Sequence, residues 1–166
     1  MRVLGIDPGL ANTGWGIIDA GGGKLRHVSH GTITTSSQEM NGRRLLAIRN
    51  ELIEIVRTYK PDIAGIESIY FSRNQTSAIP VAQAMGVVLV TCEELDLRVE
   101  SFSPPRIKQA VVGVGRADKE QMQELLRLIL GLKEPPRPDH AADALAAAVC
   151  RYNYLSPGED AKKAGM

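Results

Sequence analysis

Asp7, Glu67, His140 and Asp143 lie far apart along a chain of 166 residues, yet each stands at the edge of a segment that reads as regular structure. Asp7 closes the apolar run from Met1 to Ile6, and Glu67 closes the run from Ile63 to Ile66. His140 and Asp143 open an alanine-rich stretch that continues to Arg151. Carboxylates at strand ends beside a helix are what divalent-metal phosphodiester chemistry requires, so these four predict a metal site assembled by folding. Helical residues three or four apart share a face, which pairs His140 with Asp143 and equally Asp139 with Asp143. After Pro138 an Asp has an ordinary structural use as a helix N-cap, so His140 is the preferred ligand and Asp139 the alternative. Three clustered carboxylates repel one another, and without a cation at least one should carry a raised pKa. Oxygen donors favour Mg²⁺, whereas an imidazole suits Mn²⁺ better. Two such ions can activate water on one side of a phosphate and stabilise the departing oxygen on the other. An Asp at a strand end is by itself usually a turn residue; the combination is what carries weight.

The elements that must position these side chains follow from periodicity and punctuation. Residues 1–7 and 13–20 read as strands separated by the turn-rich Pro8 to Asn12, and Leu25 to Thr35 reads as a third strand after the Gly21-Gly22-Gly23 turn. From Asn41, in N-cap position, Leu45, Ile48, Leu52, Ile55, Val56 and Tyr59 recur at helical spacing up to Lys60-Pro61. A strand from Asp62 to Glu67, a helix from Ser77 to Glu94 and a strand from Arg98 to Phe102 follow, with Gly86 permitting close packing of the helix. Pro104 or Pro105 opens a short helix through Val112. Asp118, with Gln121 as a capping-box partner, starts another whose buried stripe is Met122, Leu125, Leu126, Ile129 and Leu130. The last helix begins at Asp139, capped by it, after the Pro135-Pro136-Arg137-Pro138 stretch. This order predicts an α/β domain over residues 1–154, a five-stranded mixed sheet flanked by helices, with a disordered tail over residues 155–166. Parallel crossovers would bring Asp7 and Glu67 side by side.

An apolar content of 43% suffices for one core, and no apolar run approaches the roughly 20 residues that span a bilayer. The N-terminus shows no charged leader, so the expectation is a soluble protein of the cytoplasm. Cys92 and Cys150, without a second ligand at metal spacing, read as buried thiols. A net charge of +1 does not advertise nucleic acid, but Arg106, Lys108, Arg116 and Lys119 face only Asp118 over residues 106–119, and Arg43, Arg44 and Arg49 form a second cluster. Taken singly, either cluster is more ordinarily a solvated surface.

Gly5-Ile6-Asp7-Pro8-Gly9-Leu10, Thr13-Gly14-Trp15-Gly16, Ile66-Glu67, Val111 to Gly115 and His140 to Ala146 together resemble, in order, the RuvC family of Holliday junction resolvases, over residues 1 to about 153. The resemblance implies a ribonuclease H-like fold, a homodimer, and Mg²⁺- or Mn²⁺-dependent nicking of four-way DNA junctions with two ions per active site. It places the family's acids at Asp7, Glu67 and Asp143, and its variable Asp-or-His ligand at His140. It also implies that Lys108 and Lys119 contact junction phosphates or support catalysis, with Lys119 helping to neutralise the pentavalent phosphate. Tyr70-Phe71, followed by Arg73-Asn74, resembles the loop whose aromatic ring stacks on an unpaired base at the crossover, with Tyr70 exposed and Phe71 buried. Arg116 falls in the basic loop, where Gly113 and Gly115 would leave the backbone mobile near DNA. The implied partners are junction DNA, a second copy of the chain, packed through a helix such as Ser77 to Glu94, and the branch-migration helicase complex of RuvA and RuvB.

Three other readings compete. Sugar kinase and actin-like ATPases also carry an Asp near a glycine-rich hairpin, but they need a second lobe for which 166 residues leave no room. A catalytically idle DNA-binding module is disfavoured by retention of all four candidate ligands. A two-metal nuclease without junction selectivity is the closest rival, and only the resemblance of the Tyr70 loop and the basic loop speaks against it.

Overall fold

The computed structural model describes residues 1–68, 75–113 and 118–155. Its elements run β1 (Arg2–Asp7), β2 (Asn12–Gly21), β3 (Lys24–Thr34), α1 (Asn41–Tyr59), β4 (Ile63–Glu67), α2 (Gln75–Glu94), β5 (Val99–Phe102), α3 (Pro104–Val112), α4 (Lys119–Leu130) and α5 (Asp139–Asn153). The five strands form one sheet in the order β3-β2-β1-β4-β5. β1 to β3 are antiparallel, whereas β4 pairs parallel to both β1 and β5. This mixed sheet with helices on both faces is the arrangement of the ribonuclease H-like fold.

Alternation along the strands sorts the side chains into two cores. Leu4, Ile6, Ile17, Ala64 and Ile66 point to the face covered by α1 and α2, where they meet Ile48, Leu52, Ala84 and Val88. Val3, Ile18, Ile63 and Phe102 point to the other face and pack with Ile107, Leu126 and the residues of α5. By the same alternation Asp7 and Glu67 lie on the α5 face. The register aligns Ile6 with Ile66 in the parallel pair, so the two acids that follow are neighbours across it.

α5 lies unusually close to the sheet because both surfaces are made of small residues. A Cβ on Gly5 would collide with the backbone of Ala144 and Ala148, and one on Gly14 with the carbonyl of His140. A Cβ on Gly65 would sit 2.7 Å from the Ala147 carbonyl oxygen. Ala141, Ala142, Ala144, Ala146, Ala147 and Ala148 are correspondingly buried. The glycines weaken the strands intrinsically but permit a helix of alanines to lie on them. Its first turn is thereby brought to the ends of β1 and β4.

The structure departs from the sequence-based expectations in several local details. The N-cap of α1 is Met40, not Asn41: the carbonyl of extended Met40 accepts the Arg43 and Arg44 N–H groups. Pro138 likewise caps α5, its carbonyl taking the Ala141 and Ala142 N–H groups, so Asp139 is the first helical residue and its side chain caps nothing. α2 begins at Gln75, and a Cβ on Gly86 would touch nothing within 4 Å, so this glycine mediates no close packing among the described residues. In α4 the Asp118–Gln121 capping box is present, but Met122, Leu125 and Ile129 are only partly buried while Gln123 is buried with Leu126 and Leu130. Leu155 packs against the core of the α5 face. The rest of the expected tail, residues 156–166, lies outside the described residues.

Candidate metal centre

β1 delivers Asp7, β4 delivers Glu67, and the first two turns of α5 deliver His140 and Asp143 to one end of the sheet. The Asp7 Oδ2 and His140 Nδ1 atoms are 2.8 Å apart, a hydrogen bond between residues 133 positions apart in the chain. Burial raises the Asp7 pKa, opposed by this hydrogen bond and by the charges of His140 and Lys119. Burial also pushes Glu67 up to about 7, reinforced by the negative charges of Asp7 and Asp143. Asp143 is raised by burial and then by Asp7, with Lys119 and His140 pulling the other way. Glu67 and Asp143 therefore both feel the charge of Asp7. Among the described residues, no three His, Cys, Asp or Glu side chains are already closed around a single point as an ion's ligands.

Asp139 and His140 differ in their neighbours. Asp139 accepts from Lys119 Nζ at 2.8 Å and from Gln123 Nε2 at 3.0 Å, so both its oxygens are engaged by α4. These bonds, that to Lys119 foremost, hold its carboxyl below the usual range, whereas Asp7, Glu67 and Asp143 are all raised. His140 bonds Asp7 and so belongs to the cluster. Lys119 is tied to Asp139 but its charge reaches Asp143 and Asp7 as well, which places an ammonium at the mouth of the acidic group. Sequence reasoning did not single out Gln123, and its burial within an otherwise apolar stripe is visible only once α4 meets α5. It also passed over Gly14 and Gly65 as packing residues, although glycines inside strand patterns were their signal.

Lys108 lies partly buried on α3 and is not among the charges acting on the three carboxyls. Arg106 stacks over the Tyr154 ring with its guanidinium carbon 4.1 Å from the centroid. The other basic cluster is taken up by structural pairs: Arg44 donates to Thr35, and Arg49 joins Glu94 across α1 and α2 at 2.8 Å. Tyr70, Phe71, Arg73, Asn74, Gly115 and Arg116 lie outside the described residues. Cys92 and Cys150 are fully buried, and burial pushes their thiols up to about 12 and about 11.

The family model described as crossover junction endodeoxyribonuclease RuvC matches residues 3–151, which takes in all four residues of the cluster. The chain belongs to the RuvC family. It is 49% identical over 157 residues to the crossover junction endodeoxyribonuclease RuvC of Treponema denticola, covering 95% of this chain and 88% of that one. The RuvC of Caldicellulosiruptor saccharolyticus is 45% identical over 151 residues, covering 90% and 91%. Among solved structures, T. thermophilus RuvC in complex with Holliday junction substrate superimposes with a TM-score of 0.88 at 38% identity, over 93% of this chain and 94% of that one. RuvC membership agrees with the sheet order and with helix α5 seated on the strands that carry the acids.

Proposed function

We propose that this RuvC-family protein is a structure-selective endodeoxyribonuclease that resolves four-way DNA junctions in recombination and repair, with Asp7, Glu67, His140 and Asp143 as its catalytic and metal-ligating residues. The observation that carries this reading is the convergence of three carboxyls, all raised by burial, and an imidazole at one sheet end, in a chain matched by the RuvC model from end to end of the fold. Three oxygen donors with one nitrogen donor fit Mg²⁺ or Mn²⁺, and a divalent cation is the natural relief for carboxyls raised by burial and by one another. Two such ions supply a nucleophilic water at neutral pH and offset negative charge on the phosphate.

The chain's own residues have separate tasks. Glu67, whose carboxyl ionises near 7, must be in its ionised form to act as a ligand. Asp7 and His140 would both be ligands of the cation, and their hydrogen bond couples the placement of the two side chains. Lys119 holds its ammonium beside Asp143 and can swing from Asp139 to the scissile phosphate as charge builds there. Water attacks phosphorus, the bond to the 3′-oxygen breaks, and the products are a 5′-phosphate and a 3′-hydroxyl. Lys108, Arg73, Asn74 and Arg116 bind backbone phosphates, and Tyr70 stacks on an unpaired base beside Phe71; stacking contributes about 1–3 kcal/mol per base.

Paired symmetric nicks call for a two-fold dimer. α2 offers the surface: Ile79, Leu89 and Val90 are exposed on it. A groove of about 350 Å³ beside Gly86, lined by Leu45, Ala82, Val87 and Val90, would receive side chains of the second copy. The cytoplasm, where buried thiols stay reduced, is the proposed compartment, and the RuvA–RuvB branch-migration complex the proposed partner. No described helix is long and apolar enough to cross a membrane.

The test is cleavage of an end-labelled four-way junction beside a linear duplex of matching sequence, with Mg²⁺, Mn²⁺ or chelator. Paired metal-dependent nicks confined to the junction are expected, abolished by Asp7→Asn without loss of junction binding. Equal cutting of the duplex would reduce the protein to a general nuclease. Tight binding without cutting would make it an idle module.

A further inference from the structure

β3 carries a bulge that changes which residues can meet. Ile18 pairs with His27 but Ile17 pairs with Ser29, so Val28 is an extra residue in the ladder. In a regular strand residues 27 and 30 would point to opposite faces; the inserted residue puts His27 and His30 on the same one. That face is the one covered by α5, since His27 is paired with Ile18 and His30 with Gly16, whose missing Cβ makes room for Leu145. His27 Nε2 and His30 Nδ1 are 2.7 Å apart, and His30 Nε2 reaches the carbonyl oxygen of Arg137 at 3.1 Å.

A carbonyl can only accept, so His30 Nε2 carries the proton. In a neutral ring Nδ1 is then the acceptor, and His27 Nε2 donates to it. The tautomers of both rings are thus set by the one acceptor that cannot change roles. Burial and the neighbouring His30 lower the His27 pKa, consistent with a neutral donor. Arg137 precedes Pro138, whose carbonyl starts α5, and His140 follows two residues later. No side-chain cap holds this helix start. It is held instead by the His30 bond to Arg137, the close seat of His140 on Gly14, and the engagement of Asp139 by α4.

We propose that His30 is a positioning residue of the metal centre: by donating Nε2–H to the Arg137 carbonyl, with its tautomer set by His27, it fixes the entry of α5 and so the placement of His140 against Asp7. The proposal rests on the reading of the acidic cluster as a metal centre. Groups that hydrogen-bond a metal ligand typically alter metal affinity by about 10- to 100-fold; His30 bonds instead the backbone carbonyl that leads into the ligand-bearing helix.

Two amide substitutions separate the two ring nitrogens. The Gln amide nitrogen occupies a place like Nε2 and can still reach Arg137; the Asn amide nitrogen occupies a place like Nδ1 and cannot. Full-length wild type, His30→Gln and His30→Asn are compared by calorimetric titration with Mn²⁺, by the ¹⁵N resonance of the His140 ring in chelator, and by thermal denaturation in chelator. His30→Asn is expected to weaken Mn²⁺ binding by about tenfold or more and to shift the His140 Nδ1 resonance as its bond to Asp7 loosens. His30→Gln should return both readouts toward wild type at similar melting temperature. Unchanged Mn²⁺ affinity and an unchanged His140 resonance in His30→Asn overturn the proposal. Equal losses in both variants also overturn it, since a generally disturbed fold would explain them. A wild type that binds no Mn²⁺ would overturn the metal-centre reading and this proposal as written, whereas binding by wild type with no difference among the variants would overturn this proposal alone.

Discussion

Gly14 on β2 lies directly beneath the carbonyl of His140, with no space between them for a Cβ. Asp7, the register partner of Gly14, is bonded to the His140 ring, so one pair of strands both seats the helix start and supplies the acid it meets. Gly14→Ala must therefore lift the first turn of α5. The expected cost is about 1–3 kcal/mol of stability, the usual range for forced overpacking, together with loss of metal-dependent nicking. Gly42→Ala, where a Cβ meets nothing, serves as the control and should be neutral or slightly stabilising. Urea denaturation and junction nicking of both variants check this; a Gly14→Ala protein of full stability and activity would show that the helix seat is not tight.

Glu67 gives the site a pH signature. Its carboxyl ionises near 7 in the folded chain against an ordinary 4.5, so between those values the folded state keeps a proton that the unfolded state has released. Folding stability must then fall as pH rises through that window and level off above it, by an amount on the order of 3 kcal/mol at most. Asp7 and Asp143, also raised, add with the same sign. In chelator, Glu67→Gln should flatten the fall between pH 5 and 7 and be more stable than wild type at pH 8, while losing nicking. With metal present, protons compete for the same oxygens, so half-saturating Mn²⁺ should climb as pH drops below about 7. Identical pH slopes for wild type and Glu67→Gln would refute the assignment.

The two acids on strands were legible in the sequence because both end short apolar runs, and a parallel crossover leaves little choice about where such ends meet. The capping box at Asp118 was equally legible, being a local pattern. What escaped was everything decided by a single residue of register or by the approach of another element. The bulge at Val28 depends on one unpaired residue, and nothing in the local composition separates Leu25 to Thr35 from a regular strand. Asp139 has the residue type of an N-cap, yet Pro138 takes that position and Asp139 turns to Lys119 and Gln123, partners 20 and 16 residues away. Gly86 is a third case: among the described residues nothing lies within 4 Å of a Cβ there, so the close packing its small size permits is not made within the described fold.

In the proposed site His140 would add a nitrogen donor to a set of carboxylates, and the metal preference should follow it. His140→Asp replaces imidazole with oxygen and also breaks the bond to Asp7. Harder, all-oxygen sites favour Mg²⁺ relative to Mn²⁺. The ratio of nicking rates in saturating Mg²⁺ and Mn²⁺ should therefore shift toward Mg²⁺, on the order of tenfold, a scale typical of changes around a bound metal. A ratio unchanged from wild type would mean that His140 orients Asp7 without binding the ion.

Asp139 and Asp143 stand four residues apart on the same helix but face different partners, and their amide variants should separate accordingly. Asp143 is partly buried and raised by the charge of Asp7, with no hydrogen bond to its carboxyl among the described residues, so Asp143→Asn should abolish nicking and metal binding together. Asp139 sits between Lys119 and Gln123, and Asp139→Asn removes the charge that holds the Lys119 ammonium while sparing the carboxyl cluster. Metal affinity should survive in Asp139→Asn. Its nicking should keep the same metal dependence, with a changed rate as Lys119 is freed to meet phosphate. Lys119→Met should slow nicking by about 100-fold or more, as expected when a charge aimed at the developing transition state is lost, with junction affinity little altered. Loss of metal binding in Asp139→Asn, with retention in the His140→Asp variant, would reverse the choice between the two neighbours and make Asp139 the ligand.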